Sequence, residues 1–110
     1  MAVLGKNAIH AWLNYNGVGN SIRDDYNVSS VTDNATGVFT VNFSDAFADA
    51  NYCAVAIPSR DSTSEFLRHP SYTNGDTYST TAVKFRCVKD SDIASFDREY
   101  NFMMFVGSDV

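Results

Sequence analysis

Along this chain, short runs of alternating apolar and polar residues are interrupted by turn residues about every eight to twelve positions, the spacing of an antiparallel sandwich or barrel. The pattern is densest in Thr36-Gly37-Val38-Phe39-Thr40-Val41-Asn42-Phe43. There Phe39, Val41 and Phe43 project to one face, and Thr40 and Asn42 to the other. Few folds other than a pleated, half-buried surface accept such a sequence. The supply of Phe, Tyr, Val and Thr points the same way.

Taken in order, residues 1–7 read as an arm or short edge strand. Ala8 to Tyr15 is the first full strand, with Ile9, Ala11, Leu13 and Tyr15 on one face and His10, Trp12 and Asn14 on the other. Neither face is purely polar, so a strand covered on both sides is one reading. Asn16-Gly17-Val18-Gly19-Asn20 is turn chemistry, because Gly and Asn tolerate positive φ. Ser21 to Tyr26 follows, with Ile22, Asp24 and Tyr26 sharing a face, and Asn27 to Val31 continues as a strand or bulge. Asp33 to Gly37 reads as a turn and Val38 to Phe43 as a strand. Ser44 to Asn51 reads as a corner with room for one helical turn. Tyr52 to Ile57 is a strand ended by Pro58, which has no ladder donor. Between Ser59 and Thr80 periodicity fades, leaving a long polar segment with aromatic interruptions and room for a short hairpin. Thr81 to Lys89 resumes strand character, with Val83, Phe85 and Cys87 inward and Lys84 and Arg86 outward. Arg98 to Val106 closes the chain, with Tyr100, Phe102, Met104 and Val106 on one face and Asn101, Met103 and Phe105 on the other.

The expectation is a single all-β domain over residues 1–110, an antiparallel β-sandwich of six to eight strands, with a partly closed barrel as the alternative. A chain of 110 residues is long enough to bury a core without a metal or disulfide staple. Cys53 shares its strand face with Val55 and Ile57, and Cys87 with Val83 and Phe85. Both are expected to be buried free thiols, with a disulfide as the alternative.

Charge and motifs then narrow the function. The formal charge is −5, and the 8 basic residues are scattered, whereas binding nucleic acid or an anionic membrane needs them clustered. No apolar run is long enough to span a bilayer as a helix. The N-terminal residues lack the regions of a signal peptide, so the chain is expected to be complete and used without export. Asp24 and Asp25 are strand neighbours that point to opposite faces, and Asp90 and Asp92 fall in a turn. No carboxylate is set apart for acid/base work. His10 and His69 lack metal-ligand spacing, and there is no nucleophile elbow or phosphate loop. No catalytic residue, metal ligand or cofactor is expected, and no enzymatic activity. The three glycosylation-like triplets, at Asn27, Asn34 and Asn42, read as chance in a chain rich in Asn, Ser and Thr.

The run Trp12-x-Asn14-Tyr15-Asn16-Gly17-x-Gly19, Ile22-Arg23-Asp24, Tyr26 to Asp33, Thr36-Gly37-x-x-Thr40-Val41-Asn42-Phe43 and Asp49-Ala50-Asn51-Tyr52 resembles a module common in tailed bacteriophages. The module occurs at the ends of tail-fibre-like proteins and in small stand-alone virion proteins. The resemblance covers roughly the first half of the chain. It implies a virion protein assembled in the host cytoplasm. With no shaft ahead of the module, it implies a capsid decoration (cement) protein that binds the major capsid protein on the outer shell as a homotrimer. The alternative is a tail-fibre tip that binds a host-surface receptor. Arg and Tyr are enriched in protein interfaces. The expected interface therefore comprises Met1, Val3, Leu4 and Lys6 of the arm, with Arg60, Phe66, Leu67, Arg68, Tyr72 and Tyr78 of the irregular segment.

Overall fold

The computed structural model describes residues 9–59, 68–71, 78–89 and 97–108. Alternation becomes pleated sheet almost throughout. The strands are β1 (Ile9–Asn16), β2 (Ser21–Tyr26), β3 (Val28–Ala35), β4 (Val38–Phe43), β5 (Cys53–Pro58), β6 (Arg68–Ser71), β7 (Ala82–Lys89) and β8 (Asn101–Val106). Two antiparallel sheets, ordered β2-β1-β8-β5 and β3-β4-β7-β6, pack as a sandwich with no closed barrel, and no helix occurs among the described residues.

The core lies between the sheets. Ala11, Leu13 and Tyr15 of β1 and Met103 and Phe105 of β8 meet Phe39, Val41 and Phe43 of β4 and Val83 and Phe85 of β7. Rings form a continuous chain through it: Phe43 lies 5.0 Å from Phe105 and 5.1 Å from Phe47, and Phe47 stacks on Tyr52 at 4.1 Å. Such ring pairs add to the stabilisation from buried area alone.

The corner at 44–51 takes bends and one bridge instead of a helical turn. Phe47 is its plug. Its N–H donates to Thr80 O at 2.9 Å, and the next N–H, of Ala48, donates to Ser108 O at 2.9 Å. The corner is thereby tied to residues flanking a strand of each sheet, which replaces the hydrogen bonds a helical turn would have made internally.

Several expected boundaries move. Asn27 belongs to no strand. At φ 59° it is the joint where the chain leaves one sheet for the other. β3 runs on to Ala35, so the turn contracts to Thr36-Gly37, with Gly37 at φ 69° and a bulge between Asp33 and Ala35. A bulge inserts one residue and reverses the face assignment beyond it. Two more bulges act on the other sheet. One between Ile9 and Ala11 separates Ile9 from Ala11, and one opposite Asn14/Tyr15 separates Ile22 from Asp24 and Tyr26. Accordingly Ile9 is exposed, and Ile22 packs against the core.

The irregular segment conceals β6, which pairs with β7 from Arg68↔Lys89 to Ser71↔Arg86. Arg-His-Pro-Ser has no apolar alternation to signal a strand. Pro70 is tolerated because β6 is an edge. Cys87 is buried as expected, but Cys53 is exposed. On β5 it is the small Ala54 and Ala56 that face the core, where they oppose Phe105 and Met103.

Candidate functional site

The outward side of the β2-β1-β8-β5 sheet follows directly from its register. One row across all four strands reads Tyr26, Trp12, Met104, Val55, and the next reads Asp24, Asn14, Phe102, Ile57. A third row, closed by the bulge in β1, reads Ile9, Val106, Cys53. Ile57 is 63% exposed and Trp12 38%. Apart from Val18 in a turn, every large hydrophobic residue left exposed among the described residues lies on this face or, in the case of Tyr100, beside it. Ile9, Trp12, Tyr26, Val55, Ile57, Phe102 and Met104 thus form one contiguous exposed patch, where a monomer ordinarily scatters such residues singly.

Within the four strands, the Asp and Arg residues are confined to the β2 margin. Asp24 stands on the edge strand, where its carboxylate accepts from the Asp25 N–H at 2.9 Å. Arg23 reaches over the Tyr100 ring at 4.0 Å and donates to Glu99 O at 2.6 Å. The Tyr100 ring lies 5.9 Å from Phe102, so the cation caps the end of the apolar row. In the middle, Asn14 keeps a buried side-chain oxygen with no hydrogen-bond partner. Beside Cys53 and Val106 an open depression of about 240 Å³ is lined by Asp49, Asn51, Tyr52, Gly107 and Ser108.

The other sheet presents a contrasting exterior. Asn42 donates to the Ser30 and Thr32 hydroxyls at 3.1 Å each, and the Thr40 hydroxyl donates to Asn34 at 2.8 Å. This is a hydroxyl and amide ladder that suits water. The two exteriors of the sandwich are therefore chemically unlike.

A second cluster gathers at the end of the sandwich where Tyr15, Asn20, Asp33, Gly37, Asp97 and Arg98 converge. Burial, followed by the negative charges of Asp33 and Asp97, holds the Tyr15 hydroxyl above its ordinary pKa. Asp97 accepts from the Gly37 N–H at 2.7 Å and Asp33 from the Asn20 amide at 3.1 Å. The space between them is about 10 Å³, room for roughly one water molecule and no larger ligand. These carboxylates hold turns together. Among the described residues no three His, Cys, Asp or Glu side chains gather as metal ligands would.

Of the interface residues expected from the sequence, Met1, Val3, Leu4, Lys6, Arg60, Phe66, Leu67 and Tyr72 lie outside the described residues, as do Asp90 and Asp92. Arg68 and His69 fall in β6. Tyr78 turns back onto the sandwich: its hydroxyl donates to Tyr52 O and its ring meets the Tyr52 ring at 4.9 Å. His10 does not share a surface with Trp12. The bulge in β1 sets its ring against Phe47 at 4.5 Å, with Nε2 3.3 Å from Asp45 O.

Sequence reasoning missed the apolar face itself. Its signal was present in Cys53-Ala-Val-Ala-Ile57 and Phe102-Met-Met-Phe-Val106, unbroken apolar runs of the kind found in strands covered on both sides. The site defines a β-sandwich with one water-facing and one apolar exterior. Comparison with protein-family models, with curated proteins and with solved structures gives no match for this chain.

Proposed function

We propose that this chain is a structural protein of a tailed-bacteriophage virion, a decoration protein on the outer capsid shell that works by docking and not by turnover. The observation that carries the docking half of this reading is the apolar sheet exterior, since a surface of that kind is covered in the working state of a protein. The phage half rests on the motif run from Trp12 to Tyr52. Its Asn and Gly residues serve local structure: Asn16 accepts from the N–H groups of Val18 and Gly19 at 3.0 Å each, and Asn27 joins the sheets. A module that keeps these corners keeps its shape while its surfaces vary. The formal charge of −5 suits an exterior position away from packaged DNA. Repetition on a lattice adds avidity without any reacting group. Partners in this reading are the major capsid protein and further copies of the chain, with a homotrimer as the expected unit.

Gold-labelled antibody or averaged particle images of virions test it. Symmetric density over the shell is the expected result. Label confined to the tail favours the tail-fibre tip and a host-surface receptor, and virions without the protein overturn both.

A further inference from the structure

We infer that the exterior of the β2-β1-β8-β5 sheet is where copies of this chain associate, so that this sheet is an inner layer of a larger stack. It rests on the same face as the docking half of the virion reading and names what covers that face, but its test uses purified protein and the virion test uses particles, so the two fail separately.

Three observations converge. The strands β5 and β8 are apolar on both sides: Ala54, Ala56, Met103 and Phe105 face the core, while Val55, Ile57, Phe102 and Met104 face out. β4, in the partner sheet, alternates with Thr40 and Asn42 and needs no cover. A strand apolar on both sides is ordinarily covered on both sides. The continuity of the patch agrees, since seven large hydrophobic side chains gathered on one sheet face mark an interaction surface. The anatomy is that of a homo-oligomer. The rows of Trp12, Phe102, Met104, Val55 and Ile57 carry no charge, and the charged groups Arg23 and Asp24 stand at the β2 margin. A partner recognised through charge would require counter-charges within the face. Another flat, apolar sheet requires none, and two sheets pack face to face at about 10 Å. A second copy supplies that sheet.

Two native reporters lie on the face. Trp12 is the single tryptophan, and Cys53 is the exposed thiol, Cys87 being buried. Purified protein is examined by sedimentation over a range of concentrations, with tryptophan emission and the rate of maleimide labelling of Cys53 followed in parallel. Face-to-face pairing closes at two copies, so the contact alone gives twice 12.1 kDa, and the trimer of the virion reading needs a further surface. Emission should shift to the blue, and Cys53 labelling should slow, over the same concentrations. Ile57→Asp places a charge on the most exposed apolar side chain of the sheet face and should weaken association about a hundredfold or more, releasing monomer with fast-labelling Cys53. Ile57→Val and, at the far hairpin, Thr36→Asp should associate as the parent does. Circular dichroism and melting confirm that each variant is folded, which Ile57 allows because it is already exposed in the single chain.

Protein that stays monomeric at every concentration overturns the inference, whether Cys53 labels fast (an open face) or slowly (a face covered by the chain itself). An oligomer indifferent to Ile57→Asp, with Cys53 still reactive, overturns it too, because the contact then lies elsewhere.

Discussion

Asn27 ties β1 to the corner after β4 through one side chain. Its amide nitrogen donates to His10 O and Asp45 O at 3.1 Å each, and its oxygen accepts from the Asp45 N–H at 2.7 Å. Its backbone, at φ 59°, is left-handed, a conformation Asn and Gly adopt more readily than other residues. Asn27→Ala loses the hydrogen bonds and adds backbone strain, so urea denaturation should show a loss of about 2–4 kcal/mol. Asn27→Gly removes the same bonds without the strain and should lose about 1 kcal/mol less. Equal losses would mean the backbone angle contributes nothing. Within the Asn27-Val28-Ser29 triplet, Asn27 is therefore an architectural residue.

Tyr52 carries a second residue-scale prediction. Burial, and next the neighbouring Tyr78, push its hydroxyl pKa well above the usual 10.0. That hydroxyl donates to Ser79 O at 2.7 Å. The unfolded chain loses the tyrosine proton at lower pH than the folded one does. The contribution is therefore fully present below pH 10.0 and is lost as pH rises beyond it. Melting temperature should hold to about pH 9.5 and then fall, and Tyr52→Phe should flatten that fall while lowering stability at neutral pH. An unchanged alkaline slope in the variant would assign the effect to another group.

At the scale of elements, the loop between β4 and β5 works as a plug. Phe47 is 1% exposed although it lies outside every strand, and it packs on His10, Phe43 and Tyr52. Close packing extends to Gly107, where a Cβ would stand 2.7 Å from that of Tyr52. Phe47→Ala should cost about 3–5 kcal/mol by thermal or urea unfolding, as for a residue in mid-core. A loss below about 1 kcal/mol would show the corner to be independent of the core. Strand existence was legible in the sequence for β1, β4 and β7 through alternation, for β2 through the turn residues that precede it, and for β5 and β8 as short apolar runs. β6 was not, because its four residues form a strand only through pairing with β7. The bulges were hidden too. Nothing local in Ile9-His10-Ala11 says that the extra residue falls there; the pairing with β8 decides it.

For the whole molecule, the two exteriors differ in kind and the formal charge is −5. Copies that meet through an apolar face must approach against like charge. Raising NaCl from about 0.01 M to 0.15 M shortens the screening length from about 30 Å to about 8 Å. Sedimentation should then show tighter association at the higher salt. Weaker association at higher salt would indicate a contact built on ion pairs.

What the sequence determined by itself is what short-range chemistry decides. Period-two runs made pleated strands, Asn and Gly placed the Asn16–Asn20 and Gly37 turns, and the number of half-apolar strands required two layers. Only the tertiary structure decided which side of β5 and β8 faces inward. Both sides are apolar, so hydrophobicity gave no preference. On β8 the two sides are of like size, and its register with β1 (Leu13↔Met103, Ala11↔Phe105) sets which faces inward; on β5 size decides, since Phe43, Phe47, Tyr52 and Phe105 fill the interlayer space and β5 adds only the small Ala54 and Ala56 with Pro58. Val55 and Ile57 are turned outward because that volume is already occupied, and volume belongs to the assembled layers, not to any one segment.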